Sequence, residues 1–161
     1  GLVGSEMCIR DRDATVYVGR AYNDNGEEIT TPPTMKKLEE YEQTLRQFLD
    51  NTDLIVSQIM EKAYKYYKKN YAHYYEKEFE VLFPNEMVMP SADSKLHSPL
   101  CITTPAEHLR YMTYNPCNHI RVLPRKTIII PIDYALDEEH GMEIKIVDGK
   151  VKSIGESGNY E

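Results

Sequence analysis

The run Asp137-Glu138-Glu139-His140-Gly141 holds the residue types that could do chemistry in this 161-residue chain. A carboxylate beside an imidazole can fix its tautomer, raise its pKa, or join it in binding a cation. Asp137, Glu138, Glu139 and His140 are therefore the candidate binding residues. His140 with Glu139 or Glu138 is also the candidate pair for a metal-dependent or His/Glu-based hydrolase. In an extended strand, however, neighbouring side chains point to opposite faces, so Glu139 and His140 meet only where a turn bends them together. No further ligand stands at a recognisable spacing, so no catalytic residue, metal or cofactor is assigned. The plainer alternative is structural: His140 and Gly141 shape a bend, one acid caps backbone amides, and the others are solvated.

Two other groupings carry less. Cys101, His108, Cys117 and His119 include one close pair, Cys117-x-His119, but zinc sites present paired ligands at short spacing, and Cys101 and His108 fall on separate elements. Lys62, Lys65, Lys68 and Lys69 interleave with Tyr64, Tyr66, Tyr67 and Tyr71, as in a single-strand stacking platform. Residues 61–80 nevertheless hold five Lys against four Glu. The basic footprint that nucleic acid requires is missing, and an amphipathic helix with a solvated lysine face explains the pattern.

The acidic run sits between strands. Residues 119–123, 127–134, 142–147 and 150–154 alternate apolar and polar with period two, as a four-strand meander with one face on a core. Ile128, Ile130, Ile132 and Tyr134 share one parity, and Met142, Ile144 and Ile146 share theirs. Asp148-Gly149 supplies a tight turn that returns Val151. Pro131 has no N–H, so its strand is unpaired there on one side, at an edge or a bulge. Ile154 has the opposite parity from Val151, so either this hairpin carries a bulge or Ile154 packs elsewhere.

Upstream, residues 15–22 read as a strand, and Asn25-Gly26 turns it into a hairpin whose returning arm, 27–30, stops at Pro32-Pro33. Thr34 caps a helix with Met35, Leu38, Tyr41, Leu45, Phe48 and Leu49 on one stripe. Asp50-Asn51-Thr52-Asp53, with three good N-cap types, interrupts it, so that two helices or one kinked helix pack across the sheet. A second helix then carries Leu54, Ile55, Ile59, Ala63, Tyr66, Tyr67 and Tyr71. Residues 83–91 are loop-like and 91–99 polar. A short helix over 104–112 has Thr104 as cap, Pro105 in its first turn, and Leu109 and Met112 facing inward.

Bulk properties bound the rest. An apolar fraction of 41% with 28% charged residues indicates a folded globular chain rather than a disordered one. The net charge of −7 argues against nucleic acid and anionic membranes. From Asp133 onward eight acids face three bases, so −5 of that charge lies in the tail and favours a basic protein partner. No apolar run approaches the roughly 18 residues of a membrane helix. Three unevenly spaced cysteines fit thiols in a reduced cytoplasm. Residues 1–12 resemble a translated sequencing adapter of the kind found at the ends of metagenomic reading frames. They are set aside as non-native, with a single domain over 13–161 whose natural start is missing.

The tail Asp137-Glu138-Glu139-His140-Gly141-Met142-Glu143-Ile144, followed by Asp148-Gly149-Lys150-Val151 and Ile154-Gly155, resembles the ending of a group of small uncharacterised bacterial domains. Residues 43–48 and 55–67 are similar to that group's helical segment. The group often places an aromatic directly before the acids, whereas this chain has Tyr134-Ala135-Leu136. The resemblance implies a protein-binding role, immunity-like within a toxin-conflict system. The sequence thus leads to an α+β fold: an antiparallel sheet, made of the four-strand C-terminal meander plus an N-terminal hairpin, with two helices packed on one face. The leading function is a non-enzymatic protein-binding module. The hydrolase and a structural accessory domain of a longer protein are the alternatives.

Overall fold

The computed structural model describes residues 6–9, 14–77, 99–114 and 118–158. The loop expected over 83–98 and the thiol of Cys117 lie outside them. Among the described residues, seven strands form one sheet: β1 (Glu6–Ile9), β2 (Ala14–Val18), β3 (Met112–Tyr114), β4 (Ile120–Leu123), β5 (Thr127–Tyr134), β6 (Met142–Val147) and β7 (Lys150–Gly155). Three α-helices accompany it: α1 (Met35–Asp50), α2 (Thr52–Asn70) and α3 (Pro105–Leu109). A single π-helical turn, His73–Lys77, follows α2.

β5 is the axis of the sheet. One of its edges pairs with β6 from Thr127↔Val147 to Ile132↔Met142. The other pairs first with β4, through Ile129, and then with β3, from Ile132 onward. Pro131 falls in the gap between β4 and β3, where its missing N–H leaves no ladder bond unmade. The meander β4–β5–β6–β7 is antiparallel throughout, as its alternation predicts. Of the two possibilities the sequence leaves open for the last hairpin, the structure has the bulge. Lys145 pairs with Ser153 but Ile146 with Val151, leaving Lys152 as the extra residue. That insertion brings Val151 and Ile154 onto the same face. Asp148 (φ 51°) and Gly149 (φ 74°) close this hairpin, the two consecutive positive φ values that a type I′ turn requires.

The N-terminal hairpin is a correction. The Asn25-Gly26 turn forms, with Gly26 N–H donating to the Asn23 carbonyl at 3.0 Å, but it closes on a single bridge, Tyr22↔Glu28. The returning arm is exposed and cannot bury a face. β2 instead runs parallel to β4, with Val16↔Ile120 and Val18↔Val122, so the sheet is mixed rather than antiparallel. The long connection carrying both helices supplies the crossover a parallel pair needs. On its other edge β2 pairs with β1, Glu6↔Tyr17 through Ile9↔Ala14. This places part of the adapter-like segment in a strand. Main-chain pairing of this kind is open to almost any short sequence, so it is independent of the segment's origin.

Thr34 caps α1, its Oγ1 accepting from Lys37 N–H at 3.3 Å. The break after Asp50 arises differently from an N-cap. Asn51 Nδ2 donates back to the Gln47 carbonyl at 2.8 Å and the Thr52 hydroxyl to the Leu49 carbonyl at 2.8 Å, closing α1's last turn while α2 starts without a side-chain cap. Tyr41, Leu45 and Ile55 pack on Val16, Val122, Ile128, Ile130, Ile144, Ile146 and Val151, so both helices cover one face. Each fully buried isoleucine contributes about 1.5–3 kcal/mol. Met35, Leu49 and Leu54, expected on the inner stripes, are exposed instead. They lie at helix ends, and a helix of about 24 Å overhangs a four-residue strand of about 13 Å.

α3 is shorter than expected, ending at Leu109, and Met112 opens β3 rather than closing the helix. Its inward residue is His108, completely buried, whereas Leu109 is half-buried. Thr104 caps it with Pro105 in the first turn, as expected, and Glu107 adds the reciprocal bond of a capping box.

Candidate functional site: the acidic corner and its tyrosine wall

α2, the π-turn, α3 and β5 bring tyrosines together behind the end of the sheet. Tyr67, Ala72, Tyr75, Ile102, Tyr134, Leu136 and Met142 form a second buried cluster. Rings that carry hydroxyls need partners when buried, and each here finds one in a fixed place. Tyr67 donates to Glu76 Oε1 at 2.9 Å, Tyr75 to the Leu136 carbonyl at 2.6 Å, and Tyr71 to Asp137 Oδ2 at 2.8 Å. The Tyr134 hydroxyl meets His108 Nε2 at 2.6 Å.

Burial raises these phenols well above their ordinary range. The Glu76 carboxylate adds to the effect at Tyr67 and Asp137 at Tyr71, while Tyr75 is pushed to about 12 by burial and the charges of Asp137 and Glu138. They stay protonated and act as donors. Burial alone lowers His108 to about 4, so its imidazole is neutral. Nε2 shares a hydrogen bond with the Tyr134 hydroxyl, while Nδ1 has no hydrogen-bond partner among the described residues. The ring is held between Tyr67, stacked at 5.0 Å, and Tyr134, edge-on at 5.5 Å.

The acidic run caps this wall as a turn between β5 and β6. Gly141 N–H donates to the Asp137 carbonyl at 2.8 Å, and Gly141 takes a φ of 64°. Asp137 Oδ1 accepts from His140 N–H at 3.2 Å and lies 2.9 Å from His140 Nδ1. Asp137 is thus the acid that caps the backbone, and Glu138 and Glu139 are exposed beside it. The carboxylate within hydrogen-bond reach of His140 is Asp137, not the adjacent Glu139 or Glu138. Asp137's hydrogen bond and charge, with smaller contributions from Glu156 and Glu139, raise the imidazole above its usual pKa. The side chain of His140 is 52% exposed, on an outward turn.

The end of β7 completes the corner. Pairing of Gly155 with Glu143 returns the chain beside the turn, and Ser157 N–H donates to the His140 carbonyl at 3.2 Å. Donor atoms of Asp137, His140 and Glu156 then lie within 4.8 Å of one another. Among the described residues this is the group of three side chains that could hold a metal ion. Among the described residues, the scattered thiol and imidazoles are not brought together: Cys101 is exposed, His108 is enclosed by tyrosines, and the His119 ring stands 4.2 Å from Tyr17.

Sequence reasoning found Asp137 and His140 but not Glu156, which joins them across a bulged hairpin, nor the His108–Tyr134 pair. Tyr71 reads in the sequence as part of a core stripe and of the lysine–tyrosine interleaving, not as a partner of Asp137. In the lysine–tyrosine segment, Lys68 pairs with Glu76 at 3.1 Å and sits over the rings of Tyr64 and Tyr67. No helix among the described residues is long and apolar enough to cross a membrane. Compared with protein families, curated proteins and solved structures, the chain matches none.

Proposed function

We propose that this chain is a non-enzymatic protein-binding module that presents its acidic corner to a basic partner. The carrying observation is that Glu138, Glu139 and Glu156 are exposed together on a backbone pinned by Asp137, Tyr71 and Ser157. Among the described residues, none of those three glutamates forms an ion pair with a lysine or arginine. Unpaired charge on a rigid base steers association and favours a partner of opposite sign. The resemblance to small bacterial domains gives this reading its immunity-like form, with a basic toxin as the partner and the cytoplasm as the setting.

The hydrolase alternative has less to stand on. His140 faces outward, and the acid beside its ring already serves the backbone. A cavity of about 550 Å³ among the described residues lies elsewhere, between α1 and the β4–β5 turn, lined by Tyr41, Thr44, Gln47, Arg125 and Lys126 among others.

The test is affinity capture from a bacterial extract with the wild-type chain and with the Glu138→Lys/Glu139→Lys variant. A basic protein retained by the wild type, lost in the variant and released by salt is the expected result. Identical captures by both chains would refute the reading.

A further inference from the structure

The corner also converges donor atoms of a kind that protein recognition does not require. We propose that Asp137, His140 and Glu156 form a site for one divalent transition-metal ion. The proposal goes beyond the protein-binding reading and does not depend on it. Carboxylates alone gather cations diffusely, but an imidazole nitrogen set among carboxylate oxygens suits zinc and its neighbours rather than magnesium or calcium.

Three elements build the arrangement. The β5–β6 turn supplies Asp137 Oδ1 and His140 Nδ1, already 2.9 Å apart. Zinc bonds of about 2.0–2.2 Å at a tetrahedral angle separate two ligands by about 3.3–3.6 Å, so the ion replaces the proton between them with a shift of about half an ångström. The end of β7 supplies Glu156, whose nearest donor is within 4.8 Å of both and whose exposed side chain can close the remainder by rotation. Just past the end of α2, Tyr71 donates to Asp137 Oδ2 at 2.8 Å, and Oδ1, the oxygen nearer His140 Nδ1, also accepts from the His140 N–H at 3.2 Å. A ligating carboxylate oriented by an outer hydrogen bond is the usual support of a metal site. The Ser157–His140 main-chain bond ties the two segments, so the ligands are gathered before the ion arrives. Three protein donors leave a position open to water or a partner's side chain.

The experiment is titration of the full chain with Zn2+ alone, followed by calorimetry and by thermal unfolding, for the wild type, His140→Ala and Glu156→Gln. His140 and Glu156 are exposed, so both variants keep the fold, which circular dichroism verifies. The expected result is one ion per chain with a rise in Tm, and at least tenfold weaker binding in each variant. Mg2+ should give no comparable rise. Absence of Zn2+ binding by the wild type, or wild-type affinity in either variant, would overturn the site. Either result leaves capture of a basic partner unaffected, so the two readings fail separately.

Discussion

The Tyr134 hydroxyl lies 2.6 Å from His108 Nε2, with both residues buried and Tyr67 stacked on the imidazole. The pair joins β5 to α3 and makes a neutral histidine part of the packing.

That neutrality gives the fold a pH dependence. The pKa of His108 is about 4 in the folded chain, against an ordinary value of 6.5. The unfolded chain therefore takes up the proton first. Stability from His108 is complete above about pH 6.5 and is lost as pH falls towards about 4, by roughly 3 kcal/mol in all. Urea unfolding at pH 7.5 and 4.5 should show this loss. A His108→Phe variant, weaker at neutral pH, should show a smaller difference between the two.

On the sheet face away from the helices, Arg121 Nη2 reaches Glu143 Oε1 at 3.0 Å across β5. The Glu143 side chain is only 8% exposed, so Arg121→Ala leaves an enclosed carboxylate without its cation. The expected loss is roughly 3 kcal/mol. Glu143→Gln, which removes the charge that needs pairing, should cost clearly less. Denaturation midpoints of the two variants check the order.

Gly141 is required by its φ of 64° and by its neighbours, since a Cβ there would meet Ser157 Oγ at 2.9 Å and the Ile132 carbonyl at 3.2 Å. Gly141→Ala should destabilise by about 1–2 kcal/mol from backbone strain alone, with the contacts adding to it. Ser157→Gly in the same chain should recover part of the contact contribution but not the strain. Thermal unfolding of the single and double variants separates the two.

Two tyrosine-to-phenylalanine changes should differ. Tyr75 donates to the buried Leu136 carbonyl, so Tyr75→Phe leaves that acceptor without its donor and costs about 1–3 kcal/mol. Tyr71→Phe should cost less, because Asp137 keeps His140 as a partner. Equal losses on urea unfolding would contradict this account of the wall.

Alternation by two in residues 119–154 was enough to define four strands, their inward isoleucines and the Asp148-Gly149 turn, and it narrowed Ile154 to a bulge or to packing elsewhere. Spacing by three and four likewise marked the helical stretches of α1 and α2, and the run Asp50-Asn51-Thr52-Asp53 marked an interruption or kink between them. These are local properties: side-chain direction, turn chemistry and backbone capping act within a few residues, and the order of amino acids states them directly.

Tertiary structure decided what depends on residues far apart in the chain. Val16 lies beside Ile120 because a crossover makes the parallel pair possible, not because either sequence specifies the other. His108 rather than Leu109 is enclosed because Tyr67 and Tyr134 offer it a ring stack and a hydroxyl that leucine could not use. Glu156 stands with Asp137 and His140 because one extra residue in β7 and a main-chain bond from Ser157 return the chain to that corner. Proximity of this kind arises from the packing of whole elements, to which no window of sequence is sensitive.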